Sequence, residues 1–417
     1  MKYANSLKYI NSFEMADKLS DISTKRVRKL CEDLGRVNVG SRFIVVPSGC
    51  AGHATAVMLE SVIKKAGYRV GRITSESDFE SRSMVYLDGE LADIEDYNKC
   101  VAEIKGIVSK EVDANYLRQE ICFALSLLLC QLNGCEFIIL EALSGEGYSF
   151  DALCAPYELV IAPTVYSKDG NEETKHICDA IKRGVREVVS GNQKSSVYGV
   201  ISNACMLAGV RINVTAKPTL QIKETTARRV VFSYADRDGY VIKSPSHILR
   251  DCAMLVIESA LALRRDGIKM PWGSIALGLE NAQNTGCFDM LSISPAVLVD
   301  CASQKQELES VIETFEETVG SFSRLTICIK AGDKSELPCQ LSAFEGRKIE
   351  RLIVCGDLDE DDVSLKCVCA DVSVCGTVKL AAKHVHKASM ENLTVLCVGG
   401  VAFAAEIKNE FIRLMGL

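Results

Sequence analysis

The fold of this chain is decided by residues 43–52, which read Phe-Ile-Val-Val-Pro-Ser-Gly-Cys-Ala-Gly. The apolar residues 43–46 predict a short strand buried in a parallel sheet, and residues 47–52 form a turn of small residues. A helix is predicted at 53–66, where Gly67 ends it, and a second strand at 68–73. Strand, glycine-containing turn, helix and strand make a right-handed crossover unit.

The same alternation continues along the chain. Further strands are predicted at residues 137–140, 159–162, 197–200, 296–299, 325–329, 351–355, 365–369 and 395–398. Helices are predicted at 24–34, 116–132, 175–190, 203–208, 247–266, 306–319 and 400–415, with a β-hairpin at 230–242. Such alternation indicates an α/β fold with largely parallel sheets, and the loop-rich stretch 278–295 is the predicted domain boundary.

The composition is that of a folded protein and excludes several classes. Hydrophobic residues make up 48% of the 417 residues and charged residues 25%, which excludes a disordered chain. The net charge of −7 gives no electrostatic basis for binding nucleic acid. Residues 121–132 and 135–143 are too short to span a membrane, and residues 1–13 lack the apolar segment of a secretory signal. The 19 scattered cysteines are expected to be reduced thiols in a cytoplasmic protein.

Short matches to one known family follow one another along the chain. Residues 59–71, Leu-Glu-Ser-Val-Ile-Lys-Lys-Ala-Gly-Tyr-Arg-Val-Gly, resemble the segment after the P-loop of the folylpolyglutamate/dihydrofolate synthases. These are ATP-dependent amide ligases of the Mur ligase superfamily. Other segments resemble further motifs of that family: Leu140-Glu141, Asp151-Ala152, residues 182–185, Pro245-Ser246-His247, Asp300-Cys301-Ala302 and residues 396–400.

The resemblance implies both an architecture and a reaction. A P-loop-type Mur ligase ATPase domain with a mainly parallel sheet takes residues 1–290, and a smaller Rossmann-like domain takes residues 291–417. In the cleft between these domains, ATP phosphorylates a folate γ-carboxylate and the amine of glutamate captures the acyl phosphate. Two Mg²⁺ ions and a carbamylated lysine assist. The expected ligands are ATP with Mg²⁺ and a folate-like or glutamate-like molecule, and the expected state is a monomer.

The chain departs from the family most clearly at the P-loop, which in the family reads Gly-Thr-Asn-Gly-Lys-Gly-Ser. Aligned without gaps to the predicted strand and helix, the family lysine falls on Gly52 and its serine on Ala54. With a shift of one residue, Gly49 and Gly52 match glycines. The lysine then becomes His53 and the serine becomes Thr55. Both alignments lose the lysine that binds the β- and γ-phosphates, and a histidine that is neutral at pH 7 supplies no fixed cation there.

The positions that match the family are the candidate site residues. By resemblance, the nucleotide-binding positions are Gly49, Gly52, His53, Thr55, His247 and Asp300, the metal-binding positions are Glu141 and Thr55, and the carbamylated catalytic lysine is Lys182. Three of them have a plainer interpretation as well. Glu141 is then a structural carboxylate, Lys182 a solvated lysine and His247 a local helix cap.

Other family positions are replaced. Cysteine stands at three of them: Cys287 replaces an arginine, Cys301 a glycine, and Cys50 an asparagine or threonine. The metal-ligating Asp-His becomes Tyr166-Ser167, and Ser-Pro-His becomes residues 75–77, Ser-Glu-Ser. Because phosphoryl transfer depends on positioning and electrostatic stabilisation, these losses predict a degenerate, non-catalytic paralogue. The alternatives are an active ligase that uses substitute residues and an interaction protein that binds no nucleotide.

Overall fold

A computed structural model of the chain describes residues 2–15, 23–74, 81–110, 115–142, 150–166, 171–283, 286–320, 324–330, 335–356 and 369–416. Its strands form sheets of eight, six and three strands. The α-helices are α1 Tyr3–Ile10, α2 Thr24–Asp33, α3 Cys50–Lys65, α4 Ile94–Val108, α5 Arg118–Leu132, α6 Asn171–Arg183, α7 Ser195–Ala208, α8 His247–Arg265, α9 Trp272–Asn281, α10 Lys305–Thr318, α11 Leu337–Leu341, α12 Val378–Met390 and α13 Val401–Met415. The predicted α/β class is confirmed. No helix in the described ranges combines the length and apolarity that crossing a membrane requires.

The eight-stranded sheet contains the predicted crossover unit. Its strands are β1 Arg42–Pro47, β2 Val70–Ile73, β3 Val85–Leu87, β4 Glu90–Leu91, β5 Phe137–Ala142, β6 Tyr157–Ala162, β7 Val185–Ser190 and β8 Arg211–Val214. They are arranged in the order β4-β3-β2-β5-β1-β6-β7-β8. From β2 to β8 neighbouring strands pair in parallel, whereas β3 and β4 pair antiparallel at one edge. The sheet is therefore mainly parallel, as predicted.

Alternate side chains of β1 enter two separate core layers. Ile44 and Val46 pack in the cluster that includes α3, α8 and α9. Phe43 and Val45 pack in the cluster that includes α2, α4 and α5. Since both faces of the strand are covered, every residue at 43–46 is apolar, which is the pattern of a buried parallel strand.

The six-stranded sheet takes up the last third of the chain. Its strands are β12 Asp289–Ile293, β13 Ala296–Asp300, β14 Leu325–Lys330, β15 Ile349–Cys355, β16 Val372–Cys375 and β17 Thr394–Val398. In the order β12-β13-β17-β14-β15-β16, β12 and β13 form an antiparallel hairpin and the other neighbours pair in parallel. The change from one main sheet to the other falls ahead of Asp289. The division into domains at residue 290 stays a prediction.

The three-stranded sheet is antiparallel and packs against α9 through its last strand. It consists of β9 Gln221–Thr226, β10 Arg229–Tyr234 and β11 Arg237–Ile242. The hairpin predicted at 230–242 is confirmed. Its turn lies at Ala235 and Asp236, which both have a positive φ, of 50° and 57°, as the tight turns that join paired strands require.

Two sequence predictions are wrong. The helix predicted at 175–190 ends at Arg183, because Gly184 adopts a φ of +110° and the β-branched residues that follow form β7. The strand predicted at 197–200 and the helix at 203–208 are the single helix α7. Its buried residues Val197, Ile201, Ala204 and Cys205 recur at helical spacing. Of the strand predicted at 365–369, residues 365–368 lie outside the described ranges.

Candidate functional site

Two glycines shape the loop between β1 and α3. Gly49 precedes the helix with a φ of +104°, a conformation that favours glycine. The helix begins at Cys50, three residues earlier than predicted, so Gly52 lies in its first turn. A Cβ atom at Gly52 would lie 1.7 Å from the carbonyl oxygen of Pro47. Residue 52 must therefore be glycine for strand and helix to meet this closely.

The space over this loop is small and acidic. The cavity there has a volume of about 30 Å³, which is room for about one water molecule. It is lined by residues 47–52, residues 163–166, Glu173, Ile177, Gln304 and Glu307. None of the described lining residues is basic, and Glu173 and Glu307 add acidic groups, so this lining does not favour an anion.

His53, in α3, binds Glu141 near the end of β5. Its Nδ1 lies 3.0 Å from Oε2 of Glu141. Both side chains are inside the protein, with exposed fractions of 13% and 0%. In the shifted alignment His53 stands where the family has its phosphate-binding lysine. Here that side chain contacts a carboxylate of the protein itself.

Arg72, in the middle of β2, binds the other oxygen of Glu141. Its Nη1 donates to Oε1 of Glu141 at 2.6 Å, and its Nε donates to Oε2 of Glu60 at 2.7 Å. Its guanidinium carbon lies 4.2 Å from the centre of the Tyr86 ring, within the range of a cation–π interaction. The backbone N–H of Gly89 donates to the remaining oxygen of Glu60 at 2.7 Å. All four oxygens of the two buried carboxylates are therefore bonded.

Charge outweighs burial in this network. Burial alone would raise the pKa of Glu141, but the positive charges of His53 and Arg72 lower it to about 2. Burial acts to lower the pKa of His53, but the charge of Glu141 and the hydrogen bond to it together raise that pKa above its ordinary value. The raised pKa favours the charged imidazole more than in a free histidine, whereas the sequence predicted a neutral ring. With His53 protonated, two cations balance two carboxylates.

Thr55 and Lys182 lie in quite different surroundings. Thr55 is fully buried in α3, and its Oγ1 donates to the carbonyl oxygen of Ala51 at 2.7 Å. The Lys182 side chain is 67% exposed on α6, with Nζ 3.0 Å from Oδ1 of Asp179. Among the described contacts, neither group reaches Glu141. The structure therefore brings His53 and Glu141 together without these two candidates.

His247 joins α8 to α10. Its Nε2 lies 2.8 Å from Oε2 of Glu317, and its backbone N–H donates to Oγ1 of Thr314 at 3.3 Å. It borders a cavity of about 390 Å³ whose other lining residues are Tyr166, Leu220, Arg250, Asp251 and Ser310. The imidazole of His247 therefore contacts Glu317 and also borders this cavity.

Asp300 closes the end of the β12–β13 hairpin. Its two carboxylate oxygens accept the backbone N–H groups of Phe288 and Ala302, each at 2.7 Å. Burial raises the pKa of this carboxyl group well above its ordinary value. The side chain therefore satisfies backbone groups inside the protein.

A third cavity is also bordered by Cys50. It measures about 270 Å³ and is lined by Gly49, Cys50, Cys301, Ser303, Lys330 and residues 399–403. Residues 401–403 form the first turn of α13, after Gly399 and Gly400 with φ of +146° and +85°. Backbone N–H groups at a helix start attract anions, and Lys330 adds a positive charge.

The sequence analysis did not predict Arg72 or Glu60 as part of the site. One signal for Arg72 was available, because a charged residue within an otherwise apolar buried strand requires a partner. Its partner Glu141 could not be identified in that way, since it lies on β5 far along the chain. The predictions for residues 75–77 and Ser167 lie outside the described ranges.

Solved structures match this chain over its whole length. The folylpolyglutamate synthase of Thermotoga maritima is 19% identical with a TM-score of 0.76, over 99% of this chain and 96% of that one. The Mycobacterium tuberculosis folylpolyglutamate synthase, complexed with ADP and AMPPCP, is 14% identical with a TM-score of 0.79, over 100% and 99%. A folylpolyglutamate synthase–AMPPCP–folate complex is 16% identical with a TM-score of 0.79, over 100% of both chains.

Sequence comparison alone adds nothing to this result. No family model matches the sequence, and no curated protein does. At identities of 14–19% it is the fold that is shared. From its first described helix to its last, this chain has the α/β fold of the folylpolyglutamate synthases.

Proposed function

We propose that this chain is a non-catalytic protein with the folylpolyglutamate synthase fold, which binds a small anionic ligand in the cleft beside α3 and α13. It does not perform the ATP-dependent addition of glutamate to folate that the family resemblance implies. Mg-ATP is accordingly not a substrate. Two observations support the proposal. The loop between β1 and α3 lacks the charged groups that the family uses, and a cavity remains beside the start of α13.

The observation that carries the proposal is the bonding of Glu141. One of its oxygens is bound by Arg72 and the other by His53. Mg²⁺ on this carboxylate would place two further positive charges beside Arg72 and His53, and displacing either side chain would leave a buried cation without its partner. Such unpaired buried charges typically cost about 3–5 kcal/mol. The protein's own cations thus take the place of a metal ion at this carboxylate.

The loop supports the same conclusion. It has no lysine, its cavity holds about 30 Å³, and Glu307 and Glu173 line that cavity. Removing one preorganised group that stabilises a transition state typically costs about 3 kcal/mol. Several such losses together are expected to reduce turnover below detection.

The cavity of about 270 Å³ indicates what the cleft still binds. Its volume is close to the lower limit of small-molecule sites, about 300 Å³, so it suits a ligand of amino-acid size rather than a nucleotide. Lys330 and the first turn of α13 favour a carboxylate. Among the ligands that the resemblance implies, a glutamate-like molecule fits best.

Turnover is tested by incubating purified protein with Mg-ATP, glutamate and folates and measuring ADP release. The T. maritima folylpolyglutamate synthase serves as the positive control. We expect ADP release at the level of a protein-free blank. Turnover at a rate comparable to the control would instead support the active ligase with substitute residues.

Ligand binding is tested by thermal unfolding with glutamate, folate or Mg-ATP. Glutamate is expected to raise the unfolding temperature, because a ligand at about 100 times its Kd adds about 2.7 kcal/mol. Mg-ATP is expected to have no effect. The glutamate effect should vanish in Lys330→Ala and persist in Lys348→Ala, which removes an exposed lysine outside the cavity. If none of the three ligands stabilises the protein, the nucleotide-free interaction protein is the better interpretation.

A further inference from the structure

Three cysteine sulfurs meet between the two main sheets. The Sγ of Cys301 lies 2.6 Å from that of Cys50 and 3.2 Å from that of Cys287. All three sulfurs lie within 4.8 Å of one another, and no more than 4% of any of these residues is exposed. They are the same three positions at which cysteine replaces another residue of the family.

The fold brings these residues together from separate segments. In the β12–β13 hairpin Asp289 pairs with Val299, and two residues further along the same register Cys287 lies opposite Cys301. Cys50 is the first residue of α3, the helix that follows strand β1 of the other main sheet. The cluster therefore joins the loop after β1 to the open end of the hairpin.

The cluster is distinct among the described residues. It is the one group there of three or more His, Cys, Asp or Glu side chains whose ligand atoms converge closely enough to hold a metal ion. Cys328 and Cys397, for example, are neighbours across β14 and β17, but they are not part of such a group.

Metal binding at this cluster requires the thiolate form of each cysteine. Each thiol that binds the ion therefore releases its proton to solvent. The three sulfurs already converge without an intervening side chain.

We propose that Cys50, Cys287 and Cys301 form a three-thiolate site for a thiophilic metal ion, Zn²⁺, that links the two main sheets. Thiolates select Zn²⁺ over Mg²⁺, and Zn–S bonds of about 2.3 Å with tetrahedral angles place sulfurs about 3.8 Å apart. The sulfurs need to separate by about 1 Å from their present positions. Cys50 and Cys301 also line the cavity of about 270 Å³, so a water molecule can complete the coordination from that side.

A disulfide is the competing chemistry, and it explains less. It would join two of these sulfurs and leave the third buried beside them, whereas a metal ion uses all three. The site uses none of the residues that bind Glu141. Cys50 and Cys301 do border the cavity proposed for the anionic ligand, so Zn²⁺ binding is measured without glutamate, and each proposal can then fail without the other.

Metal binding is tested on the full chain, reduced and stripped of metal by a chelator. Titration with Zn²⁺ is expected to reach one equivalent, and Co²⁺ to produce the intense thiolate-to-metal charge-transfer band of sulfur ligation. Failure to bind Zn²⁺ stoichiometrically, or a Co²⁺ spectrum without that band, would overturn the proposal. These measurements use the unaltered protein and do not depend on whether a variant folds.

Variants identify the ligands. Cys50→Ser, Cys287→Ser and Cys301→Ser should each lower the bound Zn²⁺ well below one equivalent. Cys397→Ser, which alters an equally buried thiol outside the cluster, should keep it. Equal zinc content in all four variants would contradict the proposal. So would a protein that binds no metal when reduced and shows a Cys50–Cys301 cross-link when oxidised, which is the disulfide outcome.

Discussion

The imidazole Nδ1 of His53 lies 3.0 Å from Oε2 of Glu141, and this contact closes a chain of buried charges that runs through Arg72 to Glu60. The chain is balanced, with two carboxylates and two cations. His53 stands at the position of the expected phosphate-binding lysine, and Glu141 is the expected metal ligand. In this network the two side chains bind each other. The protein's own charges therefore pair with one another at the place where the family resemblance implies Mg-ATP.

Replacing Arg72 with methionine should lower the free energy of unfolding by about 3–5 kcal/mol, because it leaves Glu60 and Glu141 buried without their shared cation. Denaturant unfolding measures the effect. The matched control is Arg69→Met. Arg69 directly precedes β2, is exposed, and forms an ion pair with Asp88.

Removing the two carboxylates that Arg72→Met leaves unpaired tests the cause of this effect. In the triple variant Arg72→Met, Glu60→Gln, Glu141→Gln, we expect part of the lost stability to return, since neutral amides cost less to bury than charges. If Arg72→Met is no more harmful than Arg69→Met, the network does not carry this energy.

Replacing Gly52 with alanine should prevent the loop from keeping its present conformation. The added Cβ would lie 1.7 Å from the carbonyl oxygen of Pro47, and backbone atoms on both sides would have to move. We expect a loss of several kcal/mol, at the upper end of single substitutions, measured by thermal unfolding. Gly106→Ala in α4 is the control: nothing lies within 4 Å of its Cβ, so alanine should stabilise that helix by up to about 1 kcal/mol.

Replacing Lys182 with alanine should have almost no effect. Its ion pair with Asp179 is exposed, and pairs of this kind contribute less than about 1 kcal/mol. Added bicarbonate should not change the stability of the wild type relative to the variant, as it would if a carbamate formed on Lys182. Denaturant unfolding of both proteins, with and without bicarbonate, measures this. A bicarbonate effect that is lost in the variant would favour the carbamylated lysine.

The elements of the fold were predictable where the signal is local. The apolar run 43–46, the hairpin at 230–242 and the helix beginning at His247 each depend on residues close in sequence. The prediction of one helix over 175–190 was wrong because a single residue, Gly184, separates the helix that ends at Arg183 from the strand that begins at Val185.

The site depends on pairings that sequence spacing does not contain. Arg72 reaches Glu141 because β2 lies beside β5, with Arg72 opposite Ile139. Cys287 reaches Cys301 because β12 pairs with β13, within a stretch predicted as loop. In both cases the sequence shows the residues, but it does not show which strands lie side by side and so bring them together.

Glu307 should make the stability of the protein depend on pH. Burial raises its pKa to about 7 from an ordinary value of 4.5, against hydrogen bonds from the backbone N–H groups of Ser303 and Gln304. Between these values the folded protein holds a proton that the unfolded chain has released, so the free energy of unfolding falls as the pH rises. The contribution is complete below about pH 4.5 and lost above about pH 7.

Glu307→Gln removes this titration, because an amide does not ionise. Relative to the wild type, the variant should therefore gain about 2–3 kcal/mol between about pH 5 and about pH 8, measured by denaturant unfolding at each pH. Glu309→Gln is the control, since it removes a carboxylate from the same helix whose side chain is 43% exposed. A relative stability of Glu307→Gln that stays constant over this range would show that the buried carboxyl group is already ionised at about pH 5, as it is in the unfolded chain. The negative charge of Glu307 at the loop cavity would then be present throughout this pH range.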